Sequence, residues 1–283
     1  MNSPTRRSFL GAVAAASAVP AAASSAARVS GSDAPHHWDD LRLAVATYSL
    51  RKFSRTAAIG ICRDLGVKYV NVKSFHMPYY LSEEDLKRAR AEFERAGLQI
   101  VAGGNISLRS DDPAELEHYF KYAVAAGMPI MVCAPTHSNL GAIEKLAIKY
   151  DRKMAIHNHG PEDQFYPAPS DVIKRVKDMD PRMGLCVDVG HAVRTGADIL
   201  EEIDGAWDRI YDFHVKDLTD FTDKESRVDV GDGKMPIAAI FKMLKDRGYA
   251  GVVGLEYEVV ADHPQLGMAK SFSYMRGVLD GQA

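Results

Sequence analysis

Between Leu41 and Leu279 short β-rich apolar runs alternate with segments of helical spacing eight times, and this alternation restricts the fold more than any other property of the chain. A strand, a covering helix and a second strand in the same direction build a parallel sheet, and eight such units close it into a (β/α)8 TIM barrel of the α/β class. The predicted strands are Leu43–Tyr48, Tyr69–Lys73, Gln99–Ala102, Pro129–Cys133, Lys153–His157, Met183–Asp188, Arg209–His214 and Gly251–Glu256. Helical spacing with glycine stops predicts the covering helices, and Gly103-Gly104-Asn105 reads as a turn after the third strand. An open doubly wound sheet is the runner-up, but no phosphate-binding glycine fingerprint follows the first strand.

The ends of the chain read differently. Thr5-Arg-Arg-Ser-Phe-Leu10 and the small apolar run from Gly11 to Val19 have the form of a twin-arginine export signal, with cleavage candidates near Ala23 and Ala27. The expected organisation is therefore a signal peptide over 1–27, a polar linker over 28–40 and the barrel over 41–280, in a periplasmic protein. The apolar run is too short to span a bilayer, which takes roughly 20 residues. A net charge of -3 over 283 residues argues against a nucleic-acid partner, since phosphate binding needs a basic face. Cys62, Cys133 and Cys186 are odd in number and widely spaced, so they read as buried thiols rather than a disulfide framework, with Cys186 placed to line the barrel interior. Nothing in the sequence marks an interface, although barrels of this size often form homo-oligomers.

In a barrel of this kind the C-terminal strand ends converge on one mouth, and there the sequence places its unusual polar residues. Met154-Ala-Ile-His-Asn-His159, Met183-Gly-Leu-Cys-Val-Asp-Val-Gly-His191, Ile210-Tyr-Asp-Phe-His-Val-Lys-Asp217 and Val252-Val-Gly-Leu-Glu-Tyr-Glu258 are each an apolar strand ending in metal-competent side chains. Period-two alternation lets His157, Asp188, His214 and Glu256 all point inward. Any one of them has a structural explanation: a turn cap for Asp188, core hydrogen bonding for the histidines, an ion pair with Lys216 or Lys73 for Glu256. Coincidence at four consecutive strands points instead to a mixed nitrogen and oxygen site for a divalent ion, with manganese, cobalt, zinc or iron ahead of magnesium. Lys73 and His76 follow strand two and so either reach the mouth or remain a surface lysine and a loop histidine, while Tyr48 and Phe53 near the first strand either stack on a ligand ring or pack in the core.

The four strand-end motifs, in this order and spacing, resemble the sugar phosphate isomerase/epimerase group with the xylose-isomerase-like TIM barrel, over essentially all of residues 41–280. The resemblance implies that Asp188, His214 and Glu256 are metal ligands and that His191 is a substrate ligand. It also implies a metal-dependent proton abstraction next to a sugar carbonyl, through a metal-stabilised enediolate, with Glu256 or His159 as candidate base and Lys73 and Lys216 as candidates to hold or protonate oxygen. Family epimerases use a strand-five and a strand-eight glutamate on opposite faces of the sugar. Here His157 stands in place of the first, which leaves only one carboxylate of the pair. Isomerisation, epimerisation and elimination or hydration of a keto-sugar share the first step, so a lyase or hydratase is the alternative enzyme and an exported sugar-binding protein the non-catalytic one. An endonuclease of the same superfamily would want more metal ligands and a basic groove. Export favours an unphosphorylated sugar, keto-sugar or polyol as the small-molecule partner.

Overall fold

The structure, a computed structural model, describes residues 41–281, so the expected signal peptide and linker lie outside the described residues. Eight parallel strands form a closed barrel: β1 (Arg42–Ala46), β2 (Tyr69–Val72), β3 (Gln99–Leu108), β4 (Ile130–Pro135), β5 (Lys153–His157), β6 (Met183–Asp188), β7 (Ile210–Val215) and β8 (Val252–Leu255). Each pairs with its neighbours in sequence, and β8 pairs with β1 to close the cylinder. A small antiparallel ribbon, Asp217–Leu218 with Arg227–Val228, lies within the loop after β7.

The helices outside the barrel are α1 (Arg55–Asp64), α2 (Glu83–Arg95), α3 (Pro113–Ala125), α4 (Leu140–Tyr150), α5 (Pro169–Val176), α6 (Val189–Val193), α7 (Ile199–Ala206), α8 (Ile237–Asp246) and α9 (Gln265–Gly281). Their starts follow from local chemistry. The Ser54, Ser82, Asp112 and Asp198 side chains accept free amide N–H groups in the first turns of α1, α2, α3 and α7, which the helix itself cannot satisfy. Glu83, Glu84 and Asp85 add negative charge where the α2 dipole is positive. Apolar faces of the strands and helices merge in one continuous layer that includes Phe93, Phe120, Phe213, Phe241 and Phe272. A smaller cluster of Ala102, Val132, Ala155, Cys186 and Tyr211 involves the strands alone.

Two local features depart from the sequence expectation. Gly103-Gly104-Asn105 is not a turn, because β3 runs through it to Leu108. The backbone there needs glycine for another reason: Gly104 has φ +122°, and a Cβ on it would collide with the Val132 carbonyl oxygen of β4. The second departure is α6, a helical turn placed directly after β6. It forms because Asp188 Oδ1 accepts the N–H of His191 at 2.8 Å, so the strand-ending acid also caps a helix.

Candidate metal and substrate site

The barrel register sets the site before any side chain is considered. On adjacent strands His157 is level with Cys186, and Asp188 with His214, while His214 is level with Gly254. Alternation turns these side chains inward, and Glu256 follows the last residue of β8 with its N–H donating to Val215 O at 3.1 Å. His157, Asp188, His214 and Glu256 are at most 7% exposed, and one donor atom from each lies within 4.8 Å of the other three. His157 Nε2 is 2.9 Å from His214 Nδ1 and 3.4 Å from Asp188 Oδ2. His214 Nδ1 is 3.3 Å from Glu256 Oε2.

Each acid is held by its surroundings. Asn158 clamps the backbone of Asp188 from both sides, accepting its N–H at 2.9 Å and donating to its carbonyl at 3.0 Å. With Oδ1 committed to the α6 cap, Oδ2 faces the cluster, 2.9 Å from Lys216 Nζ but without hydrogen-bond alignment. Lys216 Nζ also lies 3.1 Å from Glu256 Oε2 and 2.6 Å from Glu258 Oε2. Lys73 Nζ reaches the other oxygen of Glu256 at 3.1 Å, and its own N–H donates to Thr47 Oγ1 at 2.9 Å. Two buried ammonium groups therefore face the two carboxylates.

The charge states follow from this arrangement. Burial pushes the Asp188 carboxyl up, but His191, Lys216 and His157 outweigh it and hold the group well below the usual carboxylate range. Burial is outweighed in the same way at Glu256, by His214, Lys73 and Lys216. For Lys216 burial acts downward, and Asp188, Glu258 and Glu256 reverse it, so the ammonium is retained. Burial lowers His157 and His159 and brings His191 to about 4, so at neutral pH these three imidazoles are uncharged and free to accept a proton or bind an ion.

His159 and His191 lie above the cluster. The His159 ring is 4.4 Å from that of His157 and 5.3 Å from that of His191, centroid to centroid. Its N–H donates to Tyr166 O at 3.0 Å, and its Nδ1 is 3.7 Å from Asp163 Oδ2. Asp163 is itself fixed by the N–H groups of Phe165 and Tyr166 at 2.7 and 2.9 Å. His191 Nε2 is 3.9 Å from Asp188 Oδ2, and its Nδ1 is 3.3 Å from Arg194 Nη1.

His76 and Tyr48 are placed differently. Both ring nitrogens of buried His76 are taken up inside its own region, at 3.0 Å from Thr47 Oγ1 and 3.2 Å from Leu50 O, so its imidazole braces the loops that follow β1 and β2. Tyr48 is half-buried, 5.9 Å from the Phe75 ring, with the Arg51 guanidinium 4.4 Å over its face. Phe53 packs against the main core.

Several residues around the cluster carried no sequence assignment. Asn71 on β2 donates to Asp212 Oδ2 at 2.8 Å and lies 3.3 Å from His214 Nε2. Asp212 shares the inward face of β7 with His214, and burial raises its carboxyl to about 6. The sequence signal was a lone polar residue inside each apolar strand. The largest cavity described, about 860 Å³ and lined by Arg42, Lys153, Arg182 and Tyr211, is at the opposite end of the barrel and holds no such cluster.

The donor set fits a divalent metal ion. Two carboxylates and two imidazoles converge from four strands, and Asp188 Oδ2 lacks a hydrogen-bond partner. Mixed nitrogen and oxygen sets of this kind suit manganese, cobalt, zinc or iron.

Acid sensitivity is a direct consequence of the buried imidazoles. His191 is lowered in the folded chain to about 4 against roughly 6.5 when unfolded. The unfolded chain therefore binds the extra proton first, so stability is intact above about 6.5 and is lost as pH falls toward 4, by up to about 3 kcal/mol. His191→Gln is expected to make this acid limb shallower in denaturant titrations across that range; an unchanged slope would refute the assignment.

Residues 59–278 match the xylose isomerase-like TIM barrel family. A segment of 129 residues is 26% identical to an uncharacterized protein of Methanocaldococcus jannaschii, covering 44% of this chain and 43% of that one, so the matched part spans less than half of that relative. Among solved structures, an uncharacterized protein from Parabacteroides distasonis is 28% identical over 83% of this chain and 98% of its own, with TM-score 0.66. A probable 3-DHS dehydratase involved in petrobactin synthesis from Bacillus anthracis is 13% identical over 83% and 98%, with TM-score 0.69. A D-psicose 3-epimerase solved in the presence of D-fructose is 16% identical over 85% and 100%, with TM-score 0.68. The last two are likenesses of fold.

Proposed function

The chain belongs to the xylose isomerase-like TIM barrel family, and on that premise we propose that it is a metal-dependent enzyme that removes a proton next to the carbonyl of a small sugar or keto-sugar. The observation that carries this reading is the convergence of His157, Asp188, His214 and Glu256 within 4.8 Å at the strand ends. A dehydratase and a sugar epimerase among the structures of like fold agree with a sugar-modifying activity.

These four residues would hold the metal, which when bound supplies a Lewis acid for carbonyl and hydroxyl oxygens. His159 is the base of choice. It is neutral at pH 7, stands above the cluster rather than in it, and has Asp163 beside Nδ1 to favour the tautomer that leaves Nε2 free. Glu256 is the weaker candidate, because the cations that hold it ionised also lower its basicity. His191 and Lys73 would orient substrate oxygens. Lys216, whose ammonium reaches three carboxylates, would release a proton only with difficulty and serves to balance charge. The export expected from residues 1–27, outside the described residues, goes with an unphosphorylated substrate.

One observation favours a second reading. β5 ends in His157, so the pair of carboxylates that would exchange a proton across a sugar ring is incomplete, and elimination from or hydration of a keto-sugar needs only one base. Product analysis separates the two outcomes, since elimination creates an enone-like absorbance and isomerisation conserves composition.

The metal itself is tested first. The purified chain is expected to carry about one equivalent of a divalent transition metal by elemental analysis, and the Asp188→Ala, His214→Ala double variant none. Absence of metal in the parent after reconstitution would remove the electrophile and turn the reading toward a sugar-binding protein.

A further inference from the structure

A second set of donors shares two members with the cluster. One nitrogen of His157, one of His214 and Cys186 Sγ also fall within 4.8 Å of one another, and all three residues are buried. Strand geometry explains why. Cys186 is level with His157 on one side and with Asp212 on the other, two residues before Asp188 and on the same inward face. It therefore lies one layer deeper in the barrel, between the carboxylates at the mouth and the apolar cluster of Ala102, Val132, Ala155 and Tyr211.

This deeper layer is polar without being satisfied. His157 Nδ1, Asp212 Oδ1 and Asn71 Oδ1 are all buried with no hydrogen-bond partner, on residues no more than 2% exposed. Buried polar atoms are nearly always paired, and orphans on β5, β7 and β2 in the barrel interior call for something to bind. The free Cys186 thiol supplies a soft donor beside them.

We propose that the barrel offers two overlapping metal positions, an outer one formed by His157, His214, Asp188 and Glu256 and an inner one formed by His157, His214 and Cys186, and that thiophilic ions take the inner one. The proposal rests on reading the two histidines as ligands. Carboxylate oxygens suit harder ions such as manganese or magnesium, whereas a thiolate with two imidazoles selects zinc or cadmium. On binding, Cys186 gives its sulfur electron pair to the ion and its proton to solvent, and nothing is oxidised. An ion drawn inward sits below the mouth, so occupation of the inner position withholds it from substrate.

The probes are cadmium and manganese, each added alone to the metal-free full chain. Cadmium is expected to produce a sulfur-to-metal charge-transfer band that saturates near one equivalent. The band should disappear in Cys186→Ala and in Cys186→Ser, the second variant guarding against a packing defect in the first. It should persist in Cys62→Ala, Cys133→Ala and Glu256→Gln. Manganese binding, followed by electron paramagnetic resonance, should be unchanged in Cys186→Ala and weakened at least about tenfold in Glu256→Gln. Cadmium binding without the band, or a band that survives both Cys186 variants, overturns the inner position. Manganese binding with no cadmium band leaves the proposed function standing and sinks this inference, whereas a cadmium band without manganese binding leaves the inner position standing and removes the outer one, and with it the proposed function.

Discussion

His159→Gln is expected to lower turnover by about a thousandfold, within the range of loss when a general base is removed, while leaving the metal content of the protein at its parent value. The separation of the two effects is what the geometry demands. His159 is not among the four clustered donors; it is anchored by its own backbone N–H to Tyr166 O and by Asp163 beside its ring. Loss of its imidazole thus removes a proton acceptor and leaves the carboxylates and their cations in place. The assay is kcat on the sugar or keto-sugar that a substrate screen identifies, with elemental analysis of the same preparation. A parallel loss of metal would show that His159 is a ligand instead. Turnover within about tenfold of the parent would exclude it as the base and return the role to Glu256. Asp163→Asn should act in the same direction with a smaller effect, because it disturbs only the orientation of the ring.

The second large effect concerns stability. Lys216 Nζ is within 3.1 Å of Asp188, Glu256 and Glu258 oxygens, and removing one member of a buried ion network strands the charges that remain, at a cost of about 3–5 kcal/mol. Lys216→Met keeps the apolar stem and deletes the ammonium, so the metal-free variant should melt far below the parent. A divalent ion would take over the neutralisation of Asp188 and Glu256. Saturating manganese or cobalt should therefore recover most of the lost stability. Metal affinity should rise as well, because the parent ammonium occupies the same oxygens. Thermal melts with and without metal decide the matter: a variant that melts with the parent would mean that Lys216 supports packing alone, and one that is destabilised and not rescued would mean that an ion does not take over the carboxylates it neutralises.

The strands were legible because their period of two survives in the sequence, and because parallel strands covered on both faces read as dense apolar runs. His157, Asp188, His214 and Glu256 stood out as polar residues at the ends of such runs, and the barrel register explains why they share one space. The signals that failed were local. Gly103-Gly104-Asn105 has turn composition, yet the glycine is required by the close approach of the Val132 carbonyl inside a strand. α6 is too short for helical periodicity, and only the Asp188 cap reveals it. Asn158, Asn71 and Asp163 act through hydrogen bonds and charges that cross between strands or close a loop, such as Asn158 to the backbone of Asp188, and spacing along the chain carries no trace of those. His76 looked available because it follows β2, but its ring nitrogens are spent on Thr47 and Leu50.

The cap on α6 limits how the site can grip an ion. Asp188 Oδ1 is already bound to the N–H of His191, and Glu256 Oε1 faces Lys73, so each carboxylate has one oxygen to offer. Chelation through both oxygens of Asp188 would unwind the turn that carries His191. An ion held here would meet one oxygen from each acid, and the way Asp188 holds it would be tied to the position of His191.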